Sequence, residues 1–330
     1  MRTLPDVPAF CGLALLLMLS AASCTFVPEA TWRRSRMLQH SGAEALAAGR
    51  AEEAEARLSE ALALRAAYFG ADDDIAARLH DGIGTARLAR GEPAAAEQEF
   101  RRAHAVFAAF DCVSGERARV VLHLCEALLL QGESAAASRI AAAEGELARD
   151  RLAPQDEAHA WLEIAGALTR AAGEDLGGAR GGVRAAAERL AASGSPGDAA
   201  WGFYVAGLLA QAAGDPRAAA ADLERAVRLS RAHRGPAHPL TLAGQVAAAR
   251  AWAAPPPPAP DDGHRRRSKW GEFLALFEPG RDADWRLRNL ENLLDDPVDD
   301  LKHRLHGMRC GDRRVFLPRA LMPGSGNPCK

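Results

Sequence analysis

Histidines and acidic residues are the residues of this sequence that could act on a substrate or hold a metal, and glycines could form the loops that bind phosphate or calcium. His303 and His306 are three residues apart, but the helical histidine pair with an adjacent base that typifies a zinc enzyme is missing. No glycine turn of a calcium loop accompanies the aspartates, which cluster at 72–74, 295–296 and 299–300. The glycines at 177–182 follow no predicted strand, so a phosphate loop is not expected there. We therefore predict no catalytic residues, no metal and no cofactor, and a chain that is not an enzyme.

Five other glycines recur at nearly constant intervals and indicate how the chain is built. They are 42, 41, 41 and 41 residues apart, at Gly49, Gly91, Gly132, Gly173 and Gly214. A fixed period of this length is typical of stacked repeats. Each glycine is expected to close the first helix of a repeat unit, because a residue without Cβ takes the left-handed conformation at little cost.

Small residues recur in three further columns of this register. Seven residues before the closing glycines stand Gly42, Gly84, Cys125, Gly166 and Gly207. Five residues after them stand Ala54, Ala96, Ala137, Gly178 and Ala219, and twelve after them Ala61, Ala103, Glu144, Ala185 and Ala226. The pattern predicts two closely packed helices per unit, helix A before the closing glycine and helix B after it. Units three and four depart from the pattern, so we expect their helices to be the least stable.

This register resembles the tetratricopeptide repeat. Four of the five units carry the glycine inside helix A, and four carry each of the two helix-B alanines. The long period resembles the kinesin light chain subtype, as do the junctions at 68–73 and 234–239. The resemblance implies an all-α fold, a right-handed α-solenoid of about five helix-turn-helix units plus a capping helix over residues 34–253.

In this register, the outward positions of helix A are expected to line a groove. Arginines occupy the same column in three successive units, and their guanidinium forks suit carboxylates, while two aromatic residues in unit five would add apolar anchors. We hypothesise that a partner protein or peptide, acidic toward the first units, binds to Arg36, Gln39, Arg78, Asp81, Thr85, Arg119, Glu126, Glu163, Trp201 and Tyr204. The alternative is a solvated arginine face that is paired with local acidic residues.

The N-terminal 23 residues are predicted to be a signal peptide. Ala9 to Leu19 form an apolar run of eleven residues, which is shorter than the roughly 20 that a transmembrane helix needs. The stretch from Ala21 to Cys24 resembles a bacterial lipobox, which implies that Cys24 is the lipidated first residue of the mature protein. Thr25 follows in place of an aspartate, which implies an outer-membrane lipoprotein facing the periplasm. A secreted or soluble periplasmic protein is the alternative.

The remaining segments are expected to connect or follow the repeats. Residues 24–33 would be a tether and residues 254–263, which include four consecutive prolines, a stiff linker. The small C-terminal region, 264–330, is predicted to be partly helical and to become coil from Gly311. A disulfide between Cys310 and Cys329 is possible, because the predicted compartment permits it.

These features together favour an interaction scaffold over other classes of protein. A net charge of −2 gives no reason to expect a nucleic-acid partner, and no small-molecule substrate is evident. We predict a non-enzymatic adaptor of the bacterial envelope, which acts in envelope assembly or secretion. Two alternatives stay open: an enzyme or sensor whose C-terminal region is positioned by the repeats, and a cytosolic adaptor.

Overall fold

The computed structural model describes residues 24–26, 29–68, 73–236, 238–253, 308–310 and 313–314. Most of these residues lie in eleven helices: α1 (Glu29–Ala47), α2 (Ala51–Tyr68), α3 (Asp74–Ala89), α4 (Pro93–Ala109), α5 (Gly115–Leu130), α6 (Ser134–Arg151), α7 (Glu157–Ala172), α8 (Leu176–Ala192), α9 (Pro196–Ala213), α10 (Pro216–Arg234) and α11 (Pro239–Ala253). The prediction of an all-α architecture is confirmed. The first helix begins at Glu29, so it includes residues that were expected to belong to the tether.

The helices stack in chain order. Helices that are adjacent in sequence pack against each other, and the A helices α1, α3, α5 and α7 also contact one another in succession, with α5 packing more extensively against α7 than against α6. Contacts that join each helix to its neighbours in the same and the next unit are typical of a solenoid. The predicted five units are therefore α1–α2, α3–α4, α5–α6, α7–α8 and α9–α10, and α11 packs on the last of them.

The closing glycines end their helices as predicted in four of the five units. Gly49, Gly91, Gly132 and Gly214 have φ angles of 75° to 81°, the left-handed region that glycine enters without strain. Unit four is an exception, because Gly173 has a φ of −85° and Glu174 takes the left-handed conformation with a φ of 69°. The prediction for Gly173 is therefore wrong by one residue.

Helix A packs against helix B through a glycine of helix A that contacts a large apolar residue of helix B. A Cβ built on Gly42 would lie 2.7 Å from Cγ of Leu58, and one on Gly84 would lie 2.5 Å from Cε1 of Phe100. In unit five, Gly207 has the same relation to Leu223 at 2.5 Å. All three large residues are fully buried. The small columns of the sequence therefore exist because the two helix axes approach closely at these points.

Three short strands lie outside the helix array. Strand β1 (Cys24–Phe26) pairs with β2 (Met308–Cys310), which pairs with β3 (Arg313–Arg314), and all pairings are antiparallel. The sequence predicted a tether at β1 and coil at β3, and it assigned β2 only to a partly helical C-terminal region. Strands of two or three residues are too short to produce the alternation of polar and apolar residues from which a strand is predicted.

The cysteines of the array have different states. Cys112 is disulfide-bonded, while Cys125 is a free and buried thiol. Burial raises the pKa of the Cys125 thiol to about 12, so it stays protonated and unreactive, as its place in a tight-packing column predicts.

Cys329 lies outside the described residues, and the pair Cys310–Cys329 stays a prediction. The signal peptide, the linker and residues 264–307 of the C-terminal region also lie outside them.

Candidate functional site

The arginine column of helix A is engaged within the chain. The guanidinium of Arg36 lies 5.3 Å from the centre of the Trp32 ring. Arg78 pairs with Glu116 at 2.9 Å and lies 3.7 Å from Asp74. Arg119 is buried, with its guanidinium 5.5 Å from the centre of the Trp161 ring and 3.8 Å from Asp198. The column is thus closer to the alternative that the sequence left open, an arginine face with local partners.

The other polar residues of the predicted groove are also buried. Oδ1 of Asp81 forms a hydrogen bond with Nδ1 of His123, and the two atoms are 2.7 Å apart. The hydroxyl of Thr85 donates a hydrogen bond to the backbone carbonyl of Asp81 at 2.9 Å. Gln39 and Glu126 are only 8% and 6% exposed. The expectation that these side chains face solvent is wrong. Their role in partner binding stays a prediction.

The aromatic anchors predicted in unit five belong to the core. Trp201 is fully buried, with its ring centre 6.2 Å from that of Trp161, and Tyr204 is 2% exposed. Helix α9, which carries both, is apolar on every face, as is typical of a helix that is covered on all sides. Glu163 is half-buried and pairs with Arg189. Of the predicted groove residues, Glu163 lines an open space between two helices of the array.

That space is a cleft of about 660 Å³ between α6 and α7. Its walls are one stripe of each helix, the loop between them and one residue of α8: Ser138, Ala141, Ala142, Gly145, Glu146, Arg149, Leu152, Pro154, His159, Leu162, Glu163, Gly166, Thr169, Arg170 and Arg189. The stripe on α6 follows the spacing of three and four residues that marks one helix face. The volume is in the range of sites that bind small molecules and cofactors, about 300–1,000 Å³.

The helix-B wall of the cleft carries a small residue, Ala141, in a column where other units have a large one. Units one, two and five have Leu58, Phe100 and Leu223 nine residues after the closing glycine. Units three and four have Ala141 and Gly182 in that column. Sequence reasoning missed the cleft, although the interruption of this column by two small residues is a signal that could have located it.

Arg170 takes part of the space that the large residue leaves in unit four. A Cβ built on Gly182 would lie 2.6 Å from Nη2 of Arg170, and one built on Gly166 would lie 3.8 Å from Nη1. The guanidinium of Arg170 therefore lies between the two glycines, at the edge of the cleft. Arg170 itself is exposed, so this charge is open to solvent and to a ligand.

Only some of the charged side chains that line the cleft form salt bridges with described residues. Arg189 pairs with Glu163, whereas no described carboxylate lies within 4.0 Å of the guanidinium of Arg149 or Arg170. Glu146 is the other acidic residue of the lining. Nε2 of His159 is a buried atom that has no hydrogen-bond partner among the described residues. The cleft thus presents cationic groups beside a floor of small side chains.

The described residues contain neither a metal site nor a membrane-spanning helix. No group of three or more histidines, cysteines or acidic residues there has the arrangement of a metal site. No helix in that part of the chain combines the length and the apolar character that crossing a bilayer requires.

Comparison with known proteins concerns the first units and the general architecture. The tetratricopeptide repeat family matches residues 35–109. The solved structures that match include YrrB, described as a TPR protein with an unusual peptide-binding site, at 20% identity and a TM-score of 0.30, over 63% of this chain and 90% of that one. A search of curated proteins returned no match. Residues 35–109 therefore carry tetratricopeptide repeats, and the helix pairs that follow continue the array with the same period.

Proposed function

We propose that this chain is a non-enzymatic scaffold that holds a segment of a partner protein in the cleft between α6 and α7. The observation that carries the proposal is the cleft itself: an open space of about 660 Å³ between α6 and α7, lined by Ala141 at the position where units one, two and five have a large residue. The helix-A face is the less available surface, because most of its predicted contact residues are buried. A partner would enter the cleft without disturbing the core.

Replacing Gly145 by phenylalanine tests this proposal. Only Nη1 of Arg149, at 3.7 Å, approaches a Cβ built at this position, so the new ring has room to fill the cleft without displacing the core. Peptides selected from a random display library on the full chain are expected to lose about tenfold or more in affinity for this variant, since the ring removes their contact surface. Fluorescence polarisation measures the affinities.

Gly181→Phe is the matched control for this experiment. Gly181 also lies within a helix B, and nothing lies within 4 Å of a Cβ built there, but it is not part of the cleft. Selected peptides should bind the control as they bind the unchanged chain. A set of peptides that bind the Gly145 variant with undiminished affinity would refute the cleft as the binding site.

The place of action that we propose is the bacterial envelope, in assembly or secretion. The support is the sequence of the N-terminus, where an apolar run precedes a lipobox-like stretch that ends at Cys24. We expect the mature protein to begin at Cys24 with acyl chains attached and to be anchored in the outer membrane. Intact mass spectrometry of the protein from its own cells tests this point. A full-length unmodified mass in the soluble fraction would contradict it and favour a cytosolic adaptor.

A further inference from the structure

The cleft contains a charged group at a place where the repeat has a large apolar residue in other units. Units one, two and five put Leu58, Phe100 and Leu223 against the helix-A glycine. In unit four, the guanidinium of Arg170 lies between Gly166 and Gly182 instead. An arginine without a carboxylate partner in the described chain, at the edge of an open cleft, is suited to receive one from outside.

We propose that the partner segment is acidic: a carboxylate of the partner binds the guanidinium of Arg170, and a large apolar side chain next to it packs on the small-residue floor of the cleft. This inference rests on the proposed function and names the chemistry of the partner at that site. The occupant is a segment of another protein that carries an aspartate or glutamate within about one helical turn of a leucine-sized residue.

The charge of the cleft favours such a segment. Three arginines and two glutamates line it, and Arg189 and Glu163 form a salt bridge with each other. The remaining charged residues of the lining are Arg149, Arg170 and Glu146, so their net charge is positive. A guanidinium donates two parallel hydrogen bonds to a carboxylate, which adds direction as well as charge. A basic segment would meet Arg149 and Arg170, neither of which has a carboxylate partner among the described residues, and is therefore disfavoured.

The floor of the cleft accounts for the apolar part of the partner. Ala141 and Gly145 of α6 face Leu162 and Gly166 of α7 across the space. Leu58, Phe100 and Leu223 show how large a side chain this repeat accepts against its small positions. A leucine or phenylalanine of the partner would bury apolar area here as those residues do in their own units.

The test uses peptides that are selected on the full chain and then depleted on the Gly145→Phe variant, so that only cleft-dependent binders remain. The remaining peptides are expected to share an acidic residue close to a large apolar one. Arg170→Glu should weaken their binding about tenfold or more, because the carboxylate then meets a like charge. Arg170→Lys should have a smaller effect, because it keeps the charge and loses the fork. High salt should weaken binding to the unchanged chain.

Two comparisons make this test specific. Arg217→Glu changes the net charge by the same amount at an exposed residue outside the cleft and should leave affinity unchanged. A peptide with its acidic residue replaced by the amide should bind the unchanged chain and Arg170→Glu alike, as a double-mutant cycle requires of a direct pair. Circular dichroism should show that each variant keeps its helix content.

The outcomes separate this inference from the proposed function. Cleft-dependent peptides that are neutral or basic, with affinities that Arg170→Glu leaves unchanged, would overturn the inference and leave the scaffold proposal standing. A library that yields no cleft-dependent peptide would overturn both.

Discussion

Replacing Glu144 by alanine is expected to lower the free energy of unfolding by about 3–5 kcal/mol. Glu144 lies in a column where other units have alanine, and its carboxylate binds Arg117 at 2.7 Å and His104 at 2.8 Å. The side chains of Glu144 and Arg117 are only 11% and 8% exposed. Removing the carboxylate leaves a buried guanidinium without its counter-charge, which is the costly step. Urea unfolding of the full chain, followed by circular dichroism, measures the loss.

Two further variants identify the cause of that loss. Adding Arg117→Met to the Glu144→Ala variant should recover much of the stability, because the uncompensated charge is gone. Glu188→Ala removes an exposed carboxylate that pairs with Arg225 and should cost no more than about 1 kcal/mol. Equal losses for Glu144→Ala and Glu188→Ala would show that the buried pair does not stabilise unit three.

The same pair gives the unchanged chain a dependence on pH. Burial alone would raise the pKa of Glu144, but the hydrogen bonds and charges of His104 and Arg117 outweigh it and hold the pKa below its ordinary value of 4.5. The folded state therefore favours the ionised carboxylate. Its contribution to stability is complete above pH 4.5 and is lost as the pH falls through the lowered pKa. The Glu144→Ala variant should lack this part of the acid sensitivity.

Replacing Gly84 by leucine is expected to lower the free energy of unfolding by about 3 kcal/mol, at the upper end of the usual cost of overpacking. The first atom of the new side chain would lie 2.5 Å from Cε1 of Phe100, which is fully buried and whose ring centre is 5.5 Å from that of His123. Either α3 and α4 separate or the ring leaves its place.

The control and the rescue for Gly84 follow from the same packing motif. Gly181→Leu, at a helical glycine with no neighbour within 4 Å of its built Cβ, should raise stability slightly, since leucine favours a helix over glycine by up to about 1 kcal/mol. Phe100→Ala alone should cost about 3–5 kcal/mol, but in the Gly84→Leu background it should recover stability. Losses that simply add would contradict direct packing of the two positions.

The spacing of small residues predicted the architecture because the physics that sets it is local. A helix ends where glycine takes a left-handed conformation, and two helices approach where neither carries a large side chain. Gly42, Gly84 and Gly207 accordingly lie against Leu58, Phe100 and Leu223. The exception at Gly173, where Glu174 takes the left-handed conformation, shifts the turn by one residue and leaves the helix order unchanged.

Burial of the helix-A face could not be predicted from the register alone. A repeat pattern indicates which positions of helix A face helix B of the same unit. The other positions were predicted to face solvent because nothing in the pattern places a neighbour there. Asp81 and His123 satisfy each other inside the array, and Trp161 with Trp201 fills space that the pattern left open. Such pairings join residues of different units that are about one period apart, and the register aligns these positions without showing that their side chains meet.

Glu144 and the cleft show that departures from the repeat carry information. The departure at Glu144 suggested a weak helix, yet the structure compensates it with Arg117 and His104 from the neighbouring elements. In the column of large residues, Ala141 lines the cleft between α6 and α7, and Gly182 leaves space that the guanidinium of Arg170 partly takes. Where no other part of the described chain fills such a gap, it is the natural place for a partner.

Site-specific photo-crosslinking in the cells that make the protein tests the central claim most directly. A photoreactive phenylalanine at Ser138, which lines the cleft, is compared with one at Ser134, an exposed residue four positions earlier on the same helix that does not line it. We predict a discrete crosslinked protein from position 138 and not from 134, with an acidic segment at the crosslink. Equal products from both positions, or none from position 138, would contradict a scaffold that holds its partner in this cleft.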